Sequence, residues 1–402
     1  MLRHRDFALL WAGQTVSLGG NGIFTVALPL EVLRLTGSPL DLALIVSART
    51  IPSVLFLLVG GTIVDRVSRR LVMLTSDMLC CISVGIVTLL IATTGAKLWE
   101  LAALTAIFGT AAAFFKPAST AINVDILPSE LLTPASALSS LSMSLVQYLV
   151  GPLAGGIIVA TTGTAWAFGL DALSFAVSAA CLAAMHRVKP PASSRRPMLQ
   201  GIREGLGYCH SQAWLWWSMI AVGIANLACY VPFTLLEPLL VKQVFRAGGL
   251  ALGMLYAASG AGGIVASVCA ARLPPPRRRL NAIWLGWAGA GLAAVGMGLA
   301  PTLWVAVLCG GLTWGGVTYG NILWYPLMQE QVPPDMLGRA SSVDWLLSLA
   351  LAPLGTIIGG AVAAEFGVRA VLIIGGAIAL STGSVLLMPS VREPDCRPLS
   401  PA

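Results

Sequence analysis

The stretch GGTIVDRVSRR, residues 60–70, leaves a long apolar run and then gathers Asp65, Arg66, Arg69 and Arg70 within six positions. Charged residues make up only 10% of the 402-residue chain, whereas soluble domains carry about 25%. Hydrophobic residues reach 57%. In water such a chain would expose a large apolar surface, so the composition indicates a membrane protein whose charged loops are short.

Apolar runs long enough to cross a bilayer, which takes about 20 residues of helix, occur repeatedly along the chain. The first is too long for the core of a signal peptide, so we expect a retained span. Counting them predicts an all-α membrane protein with twelve transmembrane helices at residues 7–33, 40–64, 71–94, 99–123, 135–161, 164–186, 214–240, 249–272, 281–300, 303–330, 340–363 and 368–389.

Lys and Arg side chains mark the orientation of these predicted spans. Most of them fall in the amino-terminal segment, in every second connection and in the carboxy-terminal tail. Positive residues collect on the cytoplasmic side of membrane proteins. We therefore predict that both termini are cytoplasmic, in a multi-pass protein of the bacterial inner membrane.

The longest connection follows the sixth span and divides the chain into two halves. LPSELLTPASAL, residues 127–138, matches VPPDMLGRASSV, residues 332–343, and each copy is followed by a pair of glycines in the next span. This indicates two six-helix bundles related by duplication. The predicted limits are 1–186 for the first bundle, 187–213 for a cytoplasmic linker, 214–391 for the second bundle and 392–402 for a tail. Residues 198–209 are predicted to form an amphipathic helix at the membrane surface.

Two parallel six-helix repeats are the architecture of the major facilitator superfamily. GGTIVDRVSRR resembles the loop signature of that superfamily, G-x-x-x-D-R-x-G-R-R, with Ser68 in place of a glycine. The resemblance implies a conformational latch between the second and third spans, with Asp65 pairing in one state and releasing in another. Arginines that merely anchor a cytoplasmic loop are the simpler alternative. The latch residues are Gly61, Asp65, Arg66, Arg69 and Arg70.

A second resemblance lies in the fifth span. Gly151, Pro152, Gly155 and Gly156 match the G-P-x-x-G-G core of a signature associated with proton-coupled exporters, although Gln147 replaces an earlier glycine. Close packing of small residues in any membrane helix is the alternative explanation. The segments ALPLEVLRLTGSPL, KPASTA, LDALSF and REGLGY are similar to the branch that contains the enterobactin exporter and bacterial drug-efflux carriers.

Polar and aromatic residues recur at helical spacing within three spans, and we predict that these stripes line a substrate cavity. Hydrogen bonding between helices is the alternative role. Arg49 joins this set because a charge at mid-bilayer costs at least about 2.5–3.5 kcal/mol and so needs a partner or a task. The predicted cavity residues are Asn21, Thr25, Arg49, Asn226, Tyr230, Phe233, Trp314, Asn321 and Tyr325.

Carboxyl groups inside spans are candidates for proton coupling, because such a group must alternate between dry and wet surroundings. We select Asp171 in the sixth span and Glu31 in the first. A fixed ion pair is the alternative for either residue.

The sequence thus predicts a secondary active transporter that exports a small amphiphilic organic compound, such as a drug, an antibiotic or a siderophore, by proton antiport and alternating access. A proton-coupled uptake carrier is the second hypothesis, and a non-transporting membrane sensor is the third. HExxH, GxSxG and phosphate-loop motifs are absent, so we expect no enzyme activity. The expected partners are the substrate, protons and lipid, with no cofactor, metal or nucleic acid, and the protein is expected to be monomeric.

Overall fold

The computed structural model describes residues 4–64, 68–128, 131–186, 198–273, 276–349, 351–388 and 391. In this part of the chain, twelve helices are long and apolar enough to cross a membrane. Their ends lie within a few residues of the predicted spans, because the length of an apolar run sets how much chain remains in lipid. The predicted twelve-helix membrane fold is confirmed.

The first six spans lie between Arg5 and Ala184. Four are continuous helices before the fifth, which consists of two α-helical parts joined by a π-helical turn, Met143–Val150. The bounds are Arg5–Leu35, Pro39–Val64, Arg69–Thr93, Leu98–Ile126, Leu132–Ser142 with Gly151–Thr161, and Thr164–Ala184.

The last six spans follow a separate linker helix, Met198–Ser211. The seventh span is interrupted twice by π-helical turns, at Asn226–Tyr230 and Leu240–Val244. The bounds are Ala213–Ala225 with Val231–Leu239, Gly249–Arg272, Arg279–Leu299, Leu303–Gln331, Pro334–Leu349 with Ala352–Phe366, and Val368–Ser381 with the 3₁₀ turn Thr382–Leu387.

Contacts between Cα atoms group the chain into two compact units. One unit contains Met1–Arg195, Thr234–Gly260 and Thr356–Phe366. The other contains Arg196–Phe233, Ala261–Gly355 and Gly367–Ala402. The division into bundles at residues 186 and 214 stays a prediction.

The first unit has an aromatic core where the first, fourth and sixth spans meet. Phe24 stacks on Phe108 with ring centroids 5.2 Å apart, and Phe168 and Phe175 pack against these two rings edge to face. Offset and edge-to-face contacts are the arrangements that aromatic rings prefer. This core fixes the helices that carry the charged residues described below.

Tryptophan side chains dominate the core of the second unit. Trp287 lies between Trp284 and Trp324, at centroid distances of 5.3 and 5.7 Å, and Trp214 contacts Trp324 at 6.0 Å. All four are buried. The cluster joins the seventh, ninth and tenth spans within this unit.

The linker helix docks on the start of the eleventh span. Glu204 forms an ion pair with Arg339 at 2.6 Å, and Gly205 lies so close to the Arg339 carbonyl that a Cβ atom there would be 2.9 Å from its oxygen. Cys209, near the end of the helix, is completely buried, and burial raises the pKa of its thiol to about 11. The residues predicted to be an amphipathic helix are therefore helical, and their contacts with the eleventh span belong to the second unit.

Candidate functional site

The loop signature at residues 60–70 is only partly within the described residues. Gly61 lies in the second helix, whereas Asp65 and Arg66 lie outside the described part, so the latch stays a prediction. Arg69 forms an ion pair with Asp125 at 2.7 Å, which ties the third span to the fourth. Arg70 donates hydrogen bonds of 2.6 Å to the carbonyl oxygens of Leu182 and Ala183.

These contacts give the two arginines a local structural role. The sixth span ends at Ala184, and its last carbonyl groups have no partner within the helix. A guanidinium group there satisfies them and interacts favourably with the negative end of the helix dipole. Arg70 thus caps the carboxy-terminal end of the sixth span and links the start of the third span to it.

The glycines of the fifth span lie where helix backbones touch. A Cβ atom on Gly151 would be 2.8 Å from the Cα atom of Gly22, and one on Gly155 would be 2.9 Å from the Cα atom of Ile23. Only glycine permits this approach. This part of the signature therefore packs the fifth span on the first.

Gly156 faces a different neighbour, the eighth span. A Cβ atom on Gly156 would be 2.7 Å from the carbonyl oxygen of Gly249, and one on Gly253 would be 2.6 Å from that of Pro152. Gly260 likewise lies against the backbone of Tyr148. The fifth span is held between glycine-rich faces of two other spans, all within the first unit.

Arg49 lies over the aromatic core of the first unit. Its guanidinium carbon is 4.6 Å from the ring centroid of Phe108 and 5.3 Å from that of Phe24, within the range of a cation–π interaction. The second and fourth spans approach closely at this level, because a Cβ atom on Gly109 would overlap the carbonyl oxygen of Arg49. The hydroxyl of Ser53 donates a hydrogen bond of 2.8 Å to the main-chain carbonyl oxygen of Gly109. The backbone that carries Arg49 is thereby fixed.

Asp171 is the electrostatic partner of Arg49. Its carboxyl group has no exposed surface and interacts with the guanidinium group across the first unit. Neither carboxyl oxygen forms a hydrogen bond with the described residues. The structure therefore brings together two residues that the sequence analysis assigned to different tasks, substrate contact and proton coupling.

Glu31 has quite different surroundings. Its carboxylate accepts two hydrogen bonds from Arg34, at 3.0 and 2.6 Å, and one of 2.6 Å from the hydroxyl of Thr164. A bidentate arginine contact of this kind is strong and directional. Of the two selected acids, Glu31 has the contacts of a fixed ion pair.

The polar stripe of the first span is bonded to its own helix. Asn21 donates to the carbonyl of Ser17 at 3.0 Å, and Thr25 donates to that of Asn21 at 2.8 Å. Thr25 is exposed and Asn21 is half-buried. Both side chains keep free hydrogen-bonding capacity, since each amide or hydroxyl group carries further donor or acceptor positions.

The stripes of the seventh and tenth spans are divided between core and surface. Tyr230 donates to the carbonyl of Trp287 at 2.6 Å, and Phe233 is fully buried against Trp314, with ring centroids 6.5 Å apart. Asn226 is half-buried and donates to the carbonyl of Ser348 at 3.2 Å. Of the predicted cavity residues in the tenth span, Asn321 and Tyr325 are exposed and Trp314 is half-buried.

Three buried acids were not selected from the sequence, although an acid inside an apolar span is itself the signal. Asp77 lies in the third span beside Ser178, and Glu237 accepts a 3.4 Å hydrogen bond from Ser259. Asp344 accepts one of 3.3 Å from the indole of Trp324. Within the described ranges, no three His, Cys, Asp or Glu residues are placed to hold a metal ion.

Three curated relatives align with most of this chain. The multidrug efflux pump Tap of Mycolicibacterium fortuitum is 29% identical over 97% of this chain and 96% of its own. Macrolide efflux protein A of Streptococcus pyogenes is 23% identical over 96% of each chain. The enterobactin exporter EntS of Escherichia coli O1:K1 / APEC is 25% identical over 85% of this chain and 81% of its own.

Solved structures share the fold at low sequence identity. The nucleoside transporter NupG has a TM-score of 0.75 at 12% identity and covers 96% of this chain and all of its own. A bacterial homologue of the iron transporter ferroportin, in an inward-facing state, has a TM-score of 0.73 at 16% identity and covers 96% of this chain and 99% of its own. The family model described as transmembrane secretion effector matches residues 1–401. The chain therefore belongs to the transmembrane secretion effector family of the major facilitator superfamily.

Proposed function

We propose that this protein exports a small amphiphilic organic compound in exchange for protons, by alternating access across the bacterial cytoplasmic membrane. The observation that carries the proposal is the electrostatic interaction of Arg49, half-buried over two phenylalanine rings, with the fully buried Asp171 inside one membrane-spanning unit. Charged groups inside membrane spans are costly, so those that are kept mark functional sites. Relatives named as multidrug, macrolide and enterobactin exporters, aligned over most of their lengths, support export as its direction.

The surroundings of Arg49 favour a substrate with both aromatic or apolar surface and polar groups. The half-buried guanidinium group of Arg49 offers hydrogen-bond donors, and the two buried phenylalanine rings beneath it keep its surroundings apolar. Sites that bind small molecules combine an apolar lining with a few placed polar groups. In the tenth span, the exposed Asn321 and Tyr325 supply the same combination.

Proton coupling is assigned to Asp171 in preference to Glu31. The two carboxyl oxygens of Asp171 lack hydrogen-bond partners among the described residues, whereas three hydrogen bonds hold the carboxylate of Glu31. Protonation of Asp171 would cancel its attraction for Arg49, and a substrate that contacts the guanidinium group would meet it in a different electrostatic state. Proton and substrate binding are thereby linked at one site.

The decisive experiment uses inverted membrane vesicles, whose cytoplasmic face is outward. We expect them to accumulate ethidium or erythromycin when their lumen is acidified, and to lose the accumulated compound when the proton gradient is collapsed. Membranes that carry the Asp171→Asn variant are the control and should accumulate neither. Accumulation in whole cells that falls when the gene is deleted would instead support an uptake carrier.

The remaining parts of the proposal concern placement and assembly. We infer that both termini lie in the cytoplasm, because Lys and Arg concentrate in the segments on that side. We also infer a monomeric transporter, since one chain supplies all twelve spans.

A further inference from the structure

The sixth span carries a buried polar stripe on one face. Asp171, Ser174 and Ser178 are spaced three and four residues apart, so their side chains lie in one row along the helix. All three are at most 5% exposed. Ser174 donates to the main-chain carbonyl of Asp171 at 2.7 Å, whereas the hydroxyl of Ser178 has no well-formed hydrogen bond in the described part of the chain.

Glycines of the first span cover this stripe. A Cβ atom on Gly20 would be 2.5 Å from a carboxyl oxygen of Asp171 and would overlap the hydroxyl of Ser174. Two helical turns away on the first span, a Cβ atom on Gly13 would be 3.2 Å from the Cα atom of Ser178. The close backbone approach separates the polar row from lipid, as a polar path inside a membrane protein requires.

Asp77 of the third span lies at the end of the stripe that is nearer the predicted cytoplasmic side. It is only 1% exposed and lies beside Ser178, and one of its carboxyl oxygens has no hydrogen-bond partner among the described residues. The third helix begins at Arg69, so Asp77 lies about 12 Å along the helix axis from that end. The row thus extends from Asp171 towards the cytoplasm.

The charges around this row do not balance unless one carboxyl group is protonated. Cys80, one helical turn from Asp77, interacts electrostatically with Asp77, Asp171 and Arg49, so the two acids and the guanidinium group lie in the same part of the first unit. One cation offsets one carboxylate. A second buried carboxylate without a cation is unfavourable, and like charges favour retention of a proton by one of the pair.

The other helices near Asp77 do not alter this balance. On the same helix as Asp77, Cys81 is a further titratable group that interacts with Asp77 and Asp171. The fourth span contributes Asp125, whose carboxylate is paired with Arg69 at 2.7 Å, and Lys116, whose side chain is exposed. The local excess of one carboxyl group therefore remains.

We propose that Asp77 is a second proton-binding residue and that Asp171, Ser174, Ser178 and Asp77 form a proton route through the first unit, from the site of Arg49 and Asp171 towards the cytoplasm. This proposal rests on the proposed proton antiport and specifies how the proton reaches the cytoplasm. Ser174 and Ser178 are about 6 Å apart along the axis, so a water molecule that bridges them is part of the route.

The proton transfer balances at each step. Protonated Asp171 gives its proton to an adjacent oxygen, and each hydroxyl or water passes on its own O–H proton as it accepts the incoming one. The last proton binds the carboxylate of Asp77, and Asp171 is left as a carboxylate paired with Arg49. Asp77 then releases its proton to cytoplasmic water, so one proton has passed from Asp171 to the cytoplasm. Asp171 regains a proton from external water in the outward-facing state, and with that step one proton has crossed the membrane and every group is restored.

The test uses purified protein in proteoliposomes, with ethidium as the probe and two assays for each variant. One assay measures accumulation driven by an acidic lumen, and the other measures counterflow at equal pH, which needs no net proton movement. Asp77→Asn is expected to reduce driven accumulation at least tenfold while counterflow stays within twofold. Ser178→Ala is expected to reduce driven accumulation severalfold, and Ser178→Thr, which keeps the hydroxyl, to restore it.

Ser83→Ala is the matched control, because Ser83 is a buried serine of the third span whose hydroxyl donates to the carbonyl of Cys80 at 3.3 Å. It should behave as wild type in both assays. Wild-type accumulation in either Asp77→Asn or Ser178→Ala overturns the proton route. If Asp77→Asn also loses counterflow, the comparison of Ser178→Ala with Ser178→Thr tests the route by itself.

Transport by the wild-type protein distinguishes failure of proton antiport from failure of the proton route. Counterflow without any accumulation driven by the pH gradient rejects proton antiport, and the route falls with it. Driven accumulation in wild type together with wild-type accumulation in either variant rejects the route alone and leaves proton antiport standing.

Discussion

Arg49 shows how a single charge is accommodated inside a membrane unit. Its guanidinium group lies over two phenylalanine rings and interacts with Asp171. These interactions offset part of the cost of removing the positive charge from water. A guanidinium group is planar and stacks on aromatic rings, whereas an ammonium group is a compact, strongly hydrated charge. Arginine and lysine are therefore not equivalent at this position.

Replacement of Arg49 tests this assignment. Arg49→Ala removes the cation that interacts with the buried carboxyl group of Asp171, so the electrostatic link between substrate and proton is lost. We expect transport of ethidium by Arg49→Ala to fall about 100-fold or more, and Arg49→Lys to retain a measurable fraction. Initial rates in vesicles with matched protein levels measure the effect.

A charge-conserving change elsewhere in the same unit is the control. Arg5→Lys alters an exposed arginine whose guanidinium group donates a 3.3 Å hydrogen bond to the carbonyl of Ala184, and it should leave the transport rate within about twofold, because exposed charged contacts contribute about 0–1 kcal/mol. Equal rates for Arg49→Ala and Arg49→Lys would show that the charge at residue 49 has no part in transport.

The two acids selected from the sequence differ in how far their roles were predictable. Glu31 and Arg34 are one helical turn apart, so their ion pair is visible in the spacing alone. The partner of Asp171 lies on another span, and no local pattern indicates which helices meet. The sequence therefore identified the buried charges but not the pair that they form.

At the scale of elements, the fifth span depends on glycine at its contact with the eighth. A side chain on Gly156 would collide with backbone atoms of Gly249 and Gly253, and backbone cannot move aside as a flexible side chain does. The same contact must rearrange if these spans move during transport. Added volume at this position is therefore expected to affect both stability and rate.

Gly156→Val is expected to lower the melting temperature of the purified protein and to slow transport. Overpacking of this kind lowers the stability of the folded protein by about 1–3 kcal/mol. Where the same clash raises the activation barrier of transport, each 1.4 kcal/mol slows the rate roughly tenfold. Thermal unfolding in detergent and vesicle transport measure the two effects. Gly289→Val, at a glycine with open space around it, should change neither, and equal behaviour of the two variants would show that the glycine contact is dispensable.

The π-helical turns of the fifth and seventh spans were not predictable from the apolar pattern. One of them, Asn226–Tyr230, contains two of the residues selected for the cavity, and such turns are frequent at functional sites. They depend on how neighbouring helices pack, because an extra residue in a turn is tolerated only when the surroundings hold it. Hydropathy reports where a span lies but not where its helix is locally widened.

At the scale of the whole molecule, the number and positions of the spans followed from composition. Each span needs about 20 apolar residues, and this constraint is stronger in lipid than any local preference is in water. The grouping into two compact units did not follow, since Thr234–Gly260 and Thr356–Phe366 cluster with the first part of the chain. That grouping depends on contacts between distant segments.

The predicted orientation is testable with reporter fusions. A fluorescent reporter that folds only in the cytoplasm should be active when fused after residue 402, and a periplasmic phosphatase should be inactive there. The phosphatase should be active when inserted after Gly95, in the connection between the third and fourth spans. Phosphatase activity at residue 402 would reverse the orientation and assign the charged loop at residues 60–70 to the outer side.

The docked linker helix determines where the protein can be split into two separately synthesised fragments. Because Glu204 pairs with Arg339 and Cys209 is buried within the second unit, Met198–Ser211 is a part of that unit rather than a tether. Two separately synthesised fragments should reassemble into a working transporter when the break precedes Met198. A break after Ser211 would leave the eleventh span without its docking partner, and complementation should fail.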